Sequence, residues 1–232
     1  MNDSTPRRQF VGRVLGGAAA MAAAPVLSLA DAAAEAQAPA TGSAAQQATW
    51  DMSWVDRVKG EHRMVFDSPE ISEGLGMSQV RSWMAGNAEV YGAKDDQMTA
   101  VLVIRHAGVP MVMGDAWWDK YELGKAYSLK DPTTGEEARR NPYINYKEGD
   151  RFVTTWPDAG LDTLIGRGVI VLACHLALRN RASGFARRDG RNAAEVYAEL
   201  RASLVPGVTV MPNGIFAVGR AQQAGCGFIR ST

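Results

Sequence analysis

Cys174 is the residue in this chain best placed to do chemistry. It closes an apolar run, Val169 to Ala173, and is followed by the helix formers Leu176, Ala177, Leu178 and Arg179. The run is continuous, β-branched and too short for a helix that hides on its own, so Gly168 to Ala173 predicts a short, fully buried strand. Cys174 then falls on the carboxyl edge of a sheet, near the first free N–H groups of a helix, where partial positive charge favours a thiolate. An inert core cysteine fits the same residues equally well, because free cysteine is among the most buried residue types. His106 follows the strong apolar run Met98 to Arg105, and it would leave a neighbouring strand at the same edge as Cys174 and His175. With Asp115 these residues form a loose His/Cys/carboxylate set, soft enough for copper or zinc but without HxxxH or CxxC spacing; hydrogen-bonded histidines at a pocket rim are the better reading. Arg179, Arg181, Arg187, Arg188 and Arg191 crowd the following helix and loop. They would suit an anionic sulfur species such as thiosulfate or sulfite, or simply form a solvated helix end. There is no phosphate-binding P-loop, no GxGxxG after the first strand and no Ser-His-Asp order to be built from three histidines, so no cofactor is implied.

The elements that must position these groups occupy one part of the chain. With 232 residues, 46% of them apolar, and 25 basic against 25 acidic residues, the composition fits one globular domain plus an extension. The charge balance suggests neither a nucleic-acid nor a membrane partner. Residues 1–38 carry Arg7-Arg8, a Gly/Ala-rich run from Val14 to Ala30 and several A-x-A points. This pattern looks like a twin-arginine export signal rather than a membrane anchor, and it predicts a periplasmic location. Residues 39–49 read as a flexible linker with nothing to bury. A single domain then spans 50–232. An oxidising compartment would ordinarily pair two cysteines. Here Cys174 ends one predicted parallel strand and Cys226 begins another, beyond the Cα separation of about 7 Å that a bridge tolerates.

Within the domain, Trp50 and Trp54 would share one helical face if their segment coils, pinning the N-terminus to the body. His62 to Phe66 predicts a first strand. A helix begins at Ser68 or Ser72 and carries Met77, Val80, Trp83 and Met84 at spacings of three and four. Met98 to Arg105 is a second strand and Gly114 to Tyr121 a short helix, with Trp117 and Trp118 straddling core and surface. Residues 122–160 lose periodicity and read as an insertion, whether lid, interface arm or unstructured segment. Leu161 to Ile165 is a short helix. Ala193 to Leu204 is a helix with Val196, Leu200 and Leu204 on one face. Val208 to Met211 is a strand, Pro212-Asn213-Gly214 caps the helix Ile215 to Gln223, and Cys226 to Arg230 is a last strand. Strands alternate with helices five times. The prediction is an open, mostly parallel five-stranded α/β sheet with helices on both faces, which binds ligands at the carboxyl ends of its strands.

The strand-Cys-helix run Val169 to Arg179, taken with Pro206-Gly207-Val208, Pro212-Asn213-Gly214 and Ala221 to Ile229, resembles the DsrE/DsrF-like superfamily, which includes the TusD-type sulfur-relay subunits. The opening Trp50-Asp51 to Asp56 and the Val103-Ile104-Arg105-His106 segment look like an exported branch of that group. The resemblance covers most of residues 60–230. It implies a three-layer α/β/α fold, a homo-oligomer assembled through sheet-flanking helices, and a persulfide carried on Cys174 with Arg179 and His106 as electrostatic helpers. It also implies a sulfur donor or acceptor, either a protein or a small sulfur species. A non-catalytic periplasmic module holding a small ligand or metal is the other reading of the same residues.

Overall fold

Five strands, β1 (His62–Ser68), β2 (Met98–Ile104), β3 (Ile170–Cys174), β4 (Thr209–Met211) and β5 (Gly227–Arg230), form a single sheet in the computed structural model, which describes residues 50–151 and 158–232. The export signal and linker expected over 1–49 lie outside the described residues. The sheet order is β4-β3-β2-β1-β5 and every pairing is parallel. The chain therefore steps one way from β1 to β4, then returns over three strands to place β5 beside β1.

Right-handed crossovers put connections that step the same way on the same side of the sheet. The helices obey this rule. α1 (Leu75–Tyr91), α4 (Leu161–Gly166), α5 (His175–Asp189) and α6 (Ala193–Ala202) share one core with Phe66, Leu102, Ile104 and Val171. The returning connection carries α7 (Gly214–Gln223) onto the opposite face, where Ala217 and Ala221 meet Val65, Val103, Ile170 and Leu172. Alternate residues of the central strands β2 and β3 thus enter opposite cores, and nearly all are apolar because both sides are covered, whereas the edge strand β5 is largely exposed. The expected three layers are present, with unequal helix cover. No described helix is long and apolar enough to cross a membrane.

Several local expectations change. Neither Ser68 nor Ser72 caps α1. The Ser68 hydroxyl donates to the Glu70 carbonyl, residues Ser72–Gly74 form a 3-10 turn, and Gly74 takes the N-cap position. Trp50 and Trp54 do not share a face. Ser53–Arg57 is 3-10 rather than α-helical, so Trp54 enters the α7-side core while Trp50 packs at the edge of the larger one. Trp117 and Trp118, on α2 (Asp115–Lys120), are both buried rather than straddling the surface.

The 122–160 stretch is not a free arm where it is described. It opens with the short helix α3 (Leu123–Ala126), and Leu123, Ala138, Tyr143 and Ile144 are built into the main core. Fully buried Asn141 fastens it: the side-chain amide donates to the Met111 and Met113 carbonyls at 2.8 and 2.9 Å, while its oxygen accepts the Tyr143 N–H at 2.9 Å. Arg140 ties Asp131 to Asp150 beside it. Side-chain bonds to backbone do here what a helix or strand ladder does elsewhere, and they leave no periodic signature. Asn141→Ala strands two buried carbonyls and one N–H, so it lowers stability by about 3 kcal/mol. Urea denaturation of wild type and variant measures this, and a loss under about 1 kcal/mol would show that Asn141 is not the anchor.

Candidate functional site

Parallel pairing brings all five carboxyl ends to one rim. The connection leaving β3 turns to the larger core and the one leaving β4 turns to the other face, so the helices that follow these neighbouring strands part at the sheet's switch point. Cys174 stands there. It is the last residue of β3, lies in register with Met211 of β4, and occupies the N-cap position of α5. Its exposure is 7%, so the thiol is largely covered rather than open to solvent at the rim. Cys226 is equally buried, and both cysteines are free. Burial pushes the Cys226 thiol up from its ordinary value. It sits just before the amino end of β5, and three strand spacings, roughly 14 Å, separate β5 from β3. A bridge to Cys174 is sterically out of reach.

The charged group beside Cys174 is Arg105. Its guanidinium grips Asp67 with two bonds, Nε to Oδ1 at 2.6 Å and one terminal nitrogen to Oδ2 at 2.8 Å. The two side chains are only 20% and 6% exposed. Both residues come from strand ends: Asp67 from β1, and Arg105 from the position just after β2, where its N–H donates to the Ser68 carbonyl. The hydrogen bonds donated to Asp67 hold the guanidinium above its ordinary value against the cost of burial, and a negative charge on Cys174 would act in the same direction. The stem of Arg105 then runs against the start of α7. A Cβ on Gly214 would lie 2.5 Å from Arg105 Cδ, so only glycine fits. Asn213 accepts the Phe216 N–H at 2.8 Å and caps the helix as its type and position predict.

Next to this pair lies a cleft of about 230 Å³ lined by His106, Ala107, Ala177, Asn180 and Arg181. Ala177 is three residues beyond Cys174, on the same side of α5 one turn on. His106 holds a left-handed backbone at φ 49°, unusual for a residue other than glycine. The Arg181 guanidinium lies 5.2 Å from the centre of the Tyr127 ring and has no ion-pair partner among the described residues. No acidic residue lines the cleft.

The other sequence candidates disperse. His175 turns away from Cys174: its Nδ1 meets the Tyr197 hydroxyl at 2.5 Å, and its ring meets the edge of Trp50. Burial holds its pKa below the ordinary value of 6.5, aided by Arg179 and Arg201. The Arg179 charge acts on the His175 and Tyr197 pair. Asp115 accepts the Asn141 N–H at 2.9 Å. Among the described residues no three His, Cys, Asp or Glu side chains could hold a metal ion, so His106, Cys174, His175 and Asp115 do not form a ligand set. The remaining arginines splay apart, Arg188 over the Tyr121 ring and Arg191 onto Glu199. Asp67 and Arg105 were the residues that motif reading passed over. Their signal is positional: each is a charged residue at the carboxyl end of an apolar strand.

No family model matches the chain, and no curated protein matches it. Among solved structures it is similar to the Protein of Unknown Function MTH1491 from Methanobacterium thermoautotrophicum, at 20% identity and a TM-score of 0.34, over 73% of this chain and 98% of that one.

Two measurements check the site's electrostatics. Asp67→Asn leaves the Arg105 charge short of its partner in a mostly buried place and lowers stability by about 2–3 kcal/mol, whereas Asp67→Asn with Arg105→Met recovers much of that loss. Additive losses in urea titrations would deny the coupling. Because the fold favours neutral His175, the unfolded chain binds the extra proton below the ordinary value of 6.5, so stability falls as pH drops through that range. His175→Gln flattens this part of the stability profile between pH 7 and pH 5; an unchanged profile would place the titration elsewhere.

Proposed function

We propose that this chain is an exported, periplasmic sulfur-handling protein of the DsrE/DsrF-like kind, in which Cys174 takes up a sulfane sulfur as a persulfide and passes it on. The observation that carries this reading is the position of Cys174: it ends a strand, takes the N-cap position of a helix and lies near enough to the Arg105 guanidinium for their charges to interact. Asp67 clamps Arg105, so the positive charge stays beside the thiol without having to be reorganised during reaction. In the transfer step the Cys174 thiolate attacks the outer sulfur of the donor. A Cys174 S–S bond forms, the donor's own bond to that sulfur breaks, and the donor leaves with the electron pair. No oxidant or reductant is consumed. The resulting persulfide anion keeps the same charge, which Arg105 accommodates. In this reading Arg105 is the electrostatic helper of the thiolate, and His106 serves at the cleft. A homo-oligomer belongs to the same proposal through the resemblance.

A second reading, a small-ligand module without catalysis, is favoured by a different observation. A cavity of about 440 Å³ lies between the start of α1 and the inserted stretch, lined by Glu73, Met77, Leu129, Lys130, Tyr143 and Tyr146 among others. In that reading Cys174→Ser changes nothing measurable in ligand binding.

Mass spectrometry separates the two. After incubation with glutathione persulfide or thiosulfate, Cys174 gains one sulfur and Cys226 none; iodoacetamide at neutral pH labels Cys174 and leaves Cys226 largely unmodified, although the two are equally buried. An inert Cys174 under conditions that load a control protein would remove the sulfur-handling reading.

A further inference from the structure

We infer that the sulfur donor this protein accepts is a small sulfane-sulfur oxyanion of the thiosulfate class, held in the cleft between the His106 turn and α5. The inference rests on the sulfur-handling reading and narrows it from any donor to one chemical type. Three features of the cleft point there. The first is size: at about 230 Å³ it falls below the range of about 300–1,000 Å³ usual for larger ligands, and two of its five lining residues are alanines. A tetrahedral anion with a few waters fits that space better than a peptide thiol.

The second is charge. His106, Asn180 and Arg181 supply an imidazole, an amide and a guanidinium, and no carboxylate in the lining competes for them. Arg181 lies against the Tyr127 ring without an ion-pair partner among the described residues, so its positive charge is not spent on another side chain. A planar guanidinium with unused N–H groups recognises a sulfonate-like face through paired hydrogen bonds. Two neighbouring arginines lack this arrangement: Arg188 donates to the Lys120 carbonyl and Arg191 is held by Glu199.

The third is placement. The buried Ala177 lines the cleft and stands one helical turn beyond Cys174, which is itself not in the lining, so the cleft borders the first turn of α5 next to the strand end. A thiosulfate whose oxygens rest on Arg181 and Asn180 can direct its outer sulfur toward the strand end. Attack by the Cys174 thiolate then breaks the S–S bond of thiosulfate and releases sulfite, which leaves with the electron pair. Three negative charges enter the step and three leave it. The cleft's donors that hold thiosulfate also hold the sulfite formed.

The test separates binding from chemistry by using the full-length Cys174→Ser protein, which cannot accept sulfur. Isothermal titration with thiosulfate and with sulfite shows saturable binding to Cys174→Ser. Adding Arg181→Ala or Asn180→Ala, both changes at partly or fully exposed positions, weakens it at least roughly tenfold for the arginine, as loss of a charge-assisted contact predicts. Arg181→Lys restores part of the affinity. Absence of saturable binding, or binding indifferent to Arg181 and Asn180, overturns the assignment of the cleft. The outcomes for the two proposals are distinct. If wild type is loaded by glutathione persulfide while Cys174→Ser ignores thiosulfate, the donor inference falls and the sulfur-handling reading stands. If the anion binds as described but no donor loads Cys174, the cleft remains an oxyanion site and the sulfur chemistry falls.

Discussion

Parallel pairing is the constraint from which the rest of this molecule follows. A strand that runs beside its neighbour in the same direction cannot be reached by a tight turn, so each connection must cross back over a face of the sheet. Those crossings cover both faces with helices and thereby allow β2 and β3 to be apolar along their whole length. They also gather every carboxyl end on one rim. Residues that lie far apart in the chain, Asp67, Arg105 and Cys174, come to one rim because each lies at or just past the carboxyl end of a strand.

The rim is not uniform. Three successive connections step in one direction and bury their helices in the larger core, while the fourth reverses and lays α7 on the other face. The reversal parts the chain between β3 and β4, the one place where the two helices that follow neighbouring strands diverge. Cys174 ends β3 at that parting and Gly214 begins α7 across from it. The Arg105 stem fills the gap against Gly214, and Asp67 fixes its head. An ion pair this sheltered is costly to desolvate and contributes little net stability compared with apolar packing. Its value lies in position, since it holds a permanent positive charge near the strand end that Cys174 closes.

The electrostatics on the two sides of α5 differ for the same geometric reason. On the side facing α6, Arg179 and Arg201 press on a His175 that is already half-sheltered by Trp50 and Tyr197. On the side facing the His106 turn, Arg181 borders a cleft with no acidic neighbour. Residues two apart on a helix point about 200° away from one another, so adjacent arginines in sequence serve unrelated surroundings. The strained turn at His106 contributes to the second side: its left-handed backbone places the residue at the mouth of the cleft immediately after β2 has ended.

The alternation of apolar runs with helical periods was enough to determine the architecture, five strands and their order along the chain, within a residue or two at most boundaries. Burial period and turn chemistry are local properties and survive translation into structure with little interference. Cys174 at a strand end and Asn213 as a helix cap were legible for the same reason. The partners of those residues were decided only in three dimensions. That Arg105 pairs with Asp67 near Cys174, that His175 turns to Tyr197, and that Asn141 rivets an aperiodic stretch into the core are all contacts between distant segments. They are set by the crossover direction and by which face each helical residue presents. Exposure of the thiol was likewise a tertiary matter: a strand end at the rim is open or covered according to what packs over it, and here Cys174 is buried.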